Sequence, residues 1–326
     1  MSTRICLAVE QTSRAGSSTP SLTRGLPAAR VERMVTVDDT AAARARLAYE
    51  TLEPFHVLAY FNPGLTAAQN DLGLDAHAFY VGARGAPLGD CAAPVVVSSF
   101  YNFAPELINN AWESARKVGL DKVAARREQM LDAQFRDILG ERVVEPEMAS
   151  LAERYHDIAS SLPVGGRSLA AAWAALTPPD SPHLALWHAL SVLREWRGDN
   201  HIAVLVQNGL DGIDAAAFHE AGLPDPTIRR RALGRRLAQL TRGWSDAAWE
   251  ASVDRLVERG LATRVDDEGH KLTADGLDLY RAIEAETDAI TGSAWASEDV
   301  DKLLERSRPY VKAVIDAGVL PGTKKK

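Results

Sequence analysis

The densest group of chemically capable side chains lies in one stretch, WHALSVLREWRGDNH (187–201). On an unbroken helix, His188, Glu195 and Asp199 fall within about 40° of arc, and Arg194, Arg197 and His201 fall on another arc of about 60°. The first arc holds metal-ligand residue types. The second suits a carboxylate or phosphate, because guanidinium forks match such oxygens two at a time. Spacings of seven and eleven are looser than the i, i+4 pair of a helical zinc site. Three readings stay open: a small-molecule anion site, a metal or haem site, and a capped helix junction with internal Arg–Glu and Arg–Asp pairs. The candidate ligand contacts here are Arg194, Glu195, Arg197 and His201; no metal site is assigned. His56 and Tyr60, i and i+4 on the first helix, are candidates to line a cavity with Tyr101, Asn102 and Phe103.

Standard catalytic signatures are missing: no GxSxG elbow, no phosphate-binding GxxxxGK[ST] loop, no HExxH and no GxGxxG. Gly82-Ala83-Arg84-Gly85 lacks the strand that a phosphate loop follows, and nothing marks Cys91 as a nucleophile. An enzyme is the less favoured expectation, and no cofactor is assigned.

These residues require helices to position them. Periodic apolar positions predict a helix from Asp38 or Asp39 through Phe61, with Leu47, Leu52, Phe55, Leu58 and Ala59 inward and Pro54 kinking or dividing it. Further helices are expected over Thr66–Gly82, from Pro94, from Pro105 to Lys117, over Asp121–Leu139, Pro146–Ser160 and Ser168–Leu176, and from His183, with RGAPLGD as a loop. Gly198-Asp199-Asn200 reads as a stop and a new cap. After Leu223 the texture turns basic. Ser245 is placed to cap a helix to Gly260, with Trp244 and Trp249 at the two positions of a hydrophobic staple. LATRVDDEGHKLT reads as two short strands around a turn, and Thr273 caps another helix.

The fold class expected is mainly α: a helical domain (34–222) with a ligand pocket, then a winged helix, that is a helix-turn-helix with a β-hairpin wing (223–290), then a C-terminal helix and basic tail (291–326) that packs back or mediates a homodimer. Residues 1–33 lack apolar periodicity and are expected to be a disordered extension outside the fold; a start at Met34 fits the same composition. The 326 residues are 46% apolar and 25% charged, ordinary for a globular chain. Two distant cysteines, Cys6 and Cys91, give no disulfide framework, and no apolar run reaches membrane length, so a cytoplasmic location without membrane contact is expected.

The pattern Trp249-x3-Val253-x2-Leu256-x2-Arg259-Gly260-Leu261, a hairpin, then Leu272-Thr273-x2-Gly276 resembles the recognition helix and wing of MarR-type regulators. LEPFHVLAYF, RGAPLGD, the Phe100–Phe103 block, PHLALWHALSVLREWRGDNHIA and TRGWSDAAWEA are similar to the actinobacterial SalK-like helix-turn-helix family. The resemblance implies a ligand-responsive transcriptional regulator. The residues themselves argue partly against DNA. The net charge is −7. With Trp249, Val253, Leu256 and Val257 inward, the reading face is left with Glu250, Ala251, Asp254, Arg255 and Glu258, and Asp266-Asp267-Glu268 makes the wing tip acidic, where phosphates need cations. Arg229, Arg230, Arg235, Arg236, Arg242 and Arg255 are the candidate DNA contacts. The alternative is a small-molecule-binding or catalytic protein of secondary metabolism whose winged helix no longer meets DNA.

Overall fold

Helix α1 (Asp39–Val57) opens the fold. Its buried stripe is Ala41, Ala45, Ala48, Leu52 and Phe55, a run of three- and four-residue steps that holds one helix face. Leu47, expected inward, is 38% exposed because it lies off that stripe. Pro54 does not divide the helix; it sits in the last turn, where the lost amide costs one terminal bond. The computed structural model describes residues 39–225, 227–228, 232–265, 269–297 and 299–323. Arg229, Arg230 and the acidic wing tip lie outside the described residues, as does the whole 1–33 segment.

The single helix expected over Thr66–Gly82 is two: α2 (Leu65–Leu72) and α3 (Ala76–Gly85). Gly73 turns left-handed at φ 64°, and the Asp75 carboxylate accepts from the Ala78 amide to start α3. RGAPLGD is not wholly a loop, because α3 runs through Gly85 into a 3-10 turn over Ala86–Leu88. Helices α4 (Ala93–Ser99) and α5 (Pro105–Val118) begin with proline in the first turn, as expected. Then come α6 (Leu120–Leu139), α7 (Pro146–Ser160) and α8 (Ser168–Ala174).

The largest departure is α9, a single 26-residue helix from Pro182 to Gln207 that runs through Gly198, Asp199 and Asn200. Glycine in a helix costs roughly 1 kcal/mol, too little to break a helix buried on nearly every face. The cap chemistry is spent elsewhere. Asp199 Oδ2 accepts from the amides of Leu169 and Ala170 at 3.1 and 3.0 Å, so it caps α8 instead of a new helix. Burial pushes the Asp199 carboxyl up to about 6 against those two donors.

The chain closes with α10 (Gly212–Glu220), α11 (Arg235–Arg242), α12 (Asp246–Glu258), strands β1 (Ala262–Arg264) and β2 (His270–Leu272), α13 (Ala274–Thr291) and α14 (Val300–Asp316). The two strands pair antiparallel, Thr263 opposite Lys271. Ser245 caps α12 through the Ala248 amide and Thr273 caps α13 through that of Gly276. Trp249 and Leu256 are fully buried and Trp244 packs against the same core; Val257, expected inward, is 37% exposed, and Ser252 takes an inward place instead. Gly276 is required: a Cβ there would stand 1.9 Å from the Leu261 carbonyl oxygen.

The described residues fall in one compact unit with three apolar clusters. One joins α1, α7, α9 and α14, so the C-terminal helix packs back. One joins α3 to α5. The third contains α12, the strand pair and α13, and reaches back to Val204, Leu205 and α10. Among the described residues no helix is long and apolar enough to cross a membrane.

Candidate functional site

Because α9 is unbroken, Arg194, Arg197 and His201 stand on one face, and that face lines a cleft of about 290 Å³. The opposite walls come from α3 (Tyr80, Arg84), the Phe100–Phe103 turn, α10 (Phe218, His219), α11 (Arg242) and α13 (Tyr280, Ile283, Glu284). Of the eight expected ligand contacts, Tyr101, Asn102, Arg194, Arg197 and His201 line this cleft. Glu195 stands behind it, and His56 and Tyr60 stand deeper. His56 accepts from or donates to the hydroxyls of Ser191 and Tyr60, each at 3.1 Å, and stacks parallel on Trp187. Burial, reinforced by Arg194, holds its pKa well below the ordinary value, so this imidazole is neutral.

The charges around the cleft nearly cancel, and the residual is informative. Arg84 grips Glu195 with two bonds, Nε at 2.8 Å and Nη2 at 2.7 Å, deep in the wall. Burial, the largest single influence, would raise the Glu195 pKa, but the charge and hydrogen bonds of Arg84 together with the Arg194 charge outweigh it and bring the carboxyl down to about 2. Arg194 is held loosely, 3.5 Å from both Glu53 and Glu195, and its buried Nε–H has no hydrogen bond. Arg197 pairs with Asp288 at 2.8 Å and donates to Thr291 at 3.1 Å. Arg46 bridges Glu284 and Asp288. These four arginines meet four carboxylates: Glu53, Glu195, Glu284 and Asp288.

Arg242 is the fifth. Among the described residues its guanidinium forms no ion pair; it lies 4.3 Å over the Phe103 ring, in the cleft wall. Burial and the neighbouring Arg84 and Arg194 charges lower its pKa. A desolvated cation beside two others, in an open cleft, is the arrangement that a bound anion relieves.

The other sequence candidates are spread out. Arg235 pairs with Glu250 and Asp246, Arg255 with Asp214 at 2.5 Å, and Arg236 is exposed. Arg264 bridges Glu250 and Asp254, both at 2.6 Å. Asp246, Glu250 and Asp254 of α12 are thus paired with basic side chains. His188, Glu195 and Asp199 do not converge: His188 bonds the Trp173 carbonyl, Glu195 bonds Arg84, and Asp199 caps α8. Among the described residues no three His, Cys, Asp or Glu side chains are grouped to hold a metal ion.

Sequence reasoning missed Arg84, Tyr80, Glu53 and Glu284, and it put Arg242 in a different role. Tyr80 and Arg84 are i, i+4 on α3 and hydrogen-bond at 3.2 Å, a spacing visible in the sequence. The pairing of Arg84 with Glu195, 111 residues away, leaves no local signal.

The order α11, a three-residue turn through Gly243, α12, strand pair and α13 is that of a helix-turn-helix followed by a ribbon. A family model described as a helix-turn-helix family matches residues 45–321. The chain belongs to this helix-turn-helix family. No curated protein and no solved structure matches it. The match covers the α9 arginines as well as the helix-turn-helix segment, so the cleft lies wholly within the family's extent.

Proposed function

We propose that the protein is a ligand-responsive, MarR-like regulator whose effector is an anionic, partly aromatic small molecule held in the arginine-lined cleft. One observation carries this reading: a single cleft is walled by Arg194 and Arg197 of α9 and by side chains of α10, α11 and α13. The unmatched Arg242 supplies the charge preference, with Tyr80, Phe103 and Tyr280 as apolar surface. A volume near 290 Å³ lies at the lower end for small-molecule pockets. An anion bridging Arg242 and Arg194 ties α11 to α9, and so couples occupancy to the placement of α12. The strand pair serves as the wing in this reading, and SalK-like proteins supply the analogy.

A second reading has its own support. Arg235, Arg255 and Arg264 are all engaged with carboxylates, which leaves the α12 face poor in cations for phosphate. On this reading the protein binds or transforms the anion and does not touch DNA. Two measurements on the purified full chain separate the readings. Calorimetric titration with benzyl phosphate, against benzyl alcohol, tests the cleft; equal affinity for both sinks the anion site. Retention on duplex DNA, followed from about 50 to 200 mM salt, tests the regulator; no retention at low salt leaves only the second reading.

A further inference from the structure

A smaller cavity of about 130 Å³ lies behind the cleft, and Tyr80 and Arg84 line both. Its walls include Phe79, Tyr60, Trp173 and Trp187, with Ala76 at an exposed position and Arg127 of α6. Arg127 stands in the apolar stripe of its helix, at Val123, Arg127, Leu131 and Phe135, where a hydrophobic residue is the norm. It is 4% exposed. Its guanidinium lies 4.8 and 5.0 Å from the ring centroids of Trp173 and Trp187. Nη1 donates to the Ala83 carbonyl, and Nη2 is 3.5 Å from the half-exposed Glu128 carboxylate. The buried Nε–H has no acceptor. Desolvation lowers the Arg127 pKa, which marks the charge as poorly compensated.

A buried cation with an idle donor, in a wall of aromatic rings, is satisfied by a small anion that has a hydrocarbon end. The volume limits its size. An engineered apolar cavity of about 150 Å³ admits benzene, with six carbons, so this one takes about six non-hydrogen atoms. We propose that the inner cavity binds a three- or four-carbon monocarboxylate, its carboxylate on the Arg127 guanidinium and its tail against Trp173, Trp187 and Phe79. This site is separate from the outer cleft of the proposed effector.

Calorimetry on the full chain with acetate, propionate, butyrate, hexanoate and butan-1-ol tests it. Affinity is expected to rise about fourfold per methylene from acetate to butyrate, then to fall at hexanoate. Butan-1-ol should bind about tenfold or more weaker than butyrate, the loss of a charge-assisted bond. Arg127→Met should abolish butyrate binding. Because that change touches two tryptophans, Ala76→Leu, at an exposed lining position, is the safer variant; it should weaken butyrate about tenfold and leave the melting temperature without ligand unchanged. Equal affinity for butyrate and butan-1-ol, no saturable binding of butyrate at millimolar concentration, or full affinity in Ala76→Leu overturns the proposal. Arg242→Met should leave butyrate binding intact. If it abolishes binding, the carboxylate sits in the outer cleft and the inner site falls while the cleft reading stands. Butyrate bound normally by a chain that ignores benzyl phosphate keeps the inner site and removes the effector reading.

Discussion

Replacing Arg242 with methionine separates a structural arginine from one kept for a ligand. In the protein the guanidinium has no carboxylate partner among the described residues, and it stacks 4.3 Å above Phe103. Removing it forfeits a cation–π contact worth about 1–2 kcal/mol in a desolvated setting. It also removes a charge that burial and the neighbouring Arg84 and Arg194 disfavour, which offsets part of that loss, and methionine keeps much of the packing. The net change in unfolding free energy should lie within about 1 kcal/mol of zero. Arg84→Met makes the contrast: it strands Glu195, 1% exposed, and breaking such a buried pair costs about 3–5 kcal/mol. Ligand binding should run the other way. Loss of a charge-assisted hydrogen bond of about 1.5–3 kcal/mol lowers benzyl phosphate affinity roughly 10- to 100-fold in Arg242→Met. Urea unfolding gives the first quantity and titration calorimetry the second. If Arg242→Met loses more than about 2 kcal/mol of stability and keeps its benzyl phosphate affinity, Arg242 is part of the framework and the charge argument fails.

Glu195→Gln frees Arg84 and Arg194 together; stability should drop by about 3 kcal/mol while benzyl phosphate raises the melting temperature more than in the parent, and a smaller rise would count against a cleft short of negative charge. His188 is held neutral by burial, down to about 4 from 6.5. A depressed pKa gives stability that is present above pH 6.5 and lost as pH falls toward 4. The loss is about 3 kcal/mol at roughly 1.36 kcal/mol per unit, and His188→Gln, read against the parent in urea titrations from about pH 7 to 4, should lack it. Asp199, whose raised pKa works in the opposite direction, is common to both proteins and cancels in the difference. Glu250→Gln with Asp254→Asn releases Arg264 and removes two acids from the α12 face; DNA retention should increase with a steeper salt dependence, by about 0.9 for each additional phosphate neutralised. Gly276→Ala must open the packing against Leu261 and should cost about 1–3 kcal/mol, visible in a thermal melt.

The helices are legible in the sequence where local chemistry decides them. Proline at the first turn of α4, α5 and α7, Ser245 and Thr273 as caps, and the Trp244–Trp249 pair are all short-range signals. The strand pair lies within LATRVDDEGHKLT, the segment in which two short strands are expected. Inference from sequence fails where tertiary packing outweighs a local preference. Gly198-Asp199-Asn200 has the composition of a boundary, yet burial of Trp196, Asn200 and Val204 carries the helix through, and the Asp199 side chain finds donors on another helix. Gly73 is hidden because the segment around it keeps helical periodicity on both sides. Arginine roles are the least legible. Arg242 and Arg235 belong to one basic run, but one turns into the cleft and the other pairs with α12 acids; only long-range pairing distinguishes them.

The cleft can act as a switch only if a ligand interacts differently with two placements of the helix-turn-helix segment. The interactions that would differ can be named. Between the body and α11–α12 lie the Trp244 indole N–H on the Asn102 carbonyl at 2.9 Å, the Ala104 amide on the Arg242 carbonyl at 2.8 Å, and Arg242 over Phe103. All three converge on the Asn102–Ala104 segment, of which Asn102 and Phe103 line the cleft. On the far side, Tyr101 donates to the Leu210 carbonyl at 2.5 Å, and Gly212 packs so closely on the Tyr101 carbonyl that a Cβ would stand 2.0 Å from it. The Phe100–Phe103 turn is therefore fastened to α10 on one side and to the α11–α12 turn on the other. An anion drawing Arg242 toward Arg194 loads that same turn, and a preference of about 1.4 kcal/mol between two placements changes their ratio tenfold. Asn102 has no charge of its own, but its carbonyl takes the Trp244 bond that ties the α11–α12 turn to the cleft wall. Trp244→Phe, which deletes the indole donor and keeps an aromatic ring, should leave benzyl phosphate affinity within about threefold while abolishing any effect of benzyl phosphate on DNA retention. Coupling that survives in Trp244→Phe would place the transmission elsewhere, through α13.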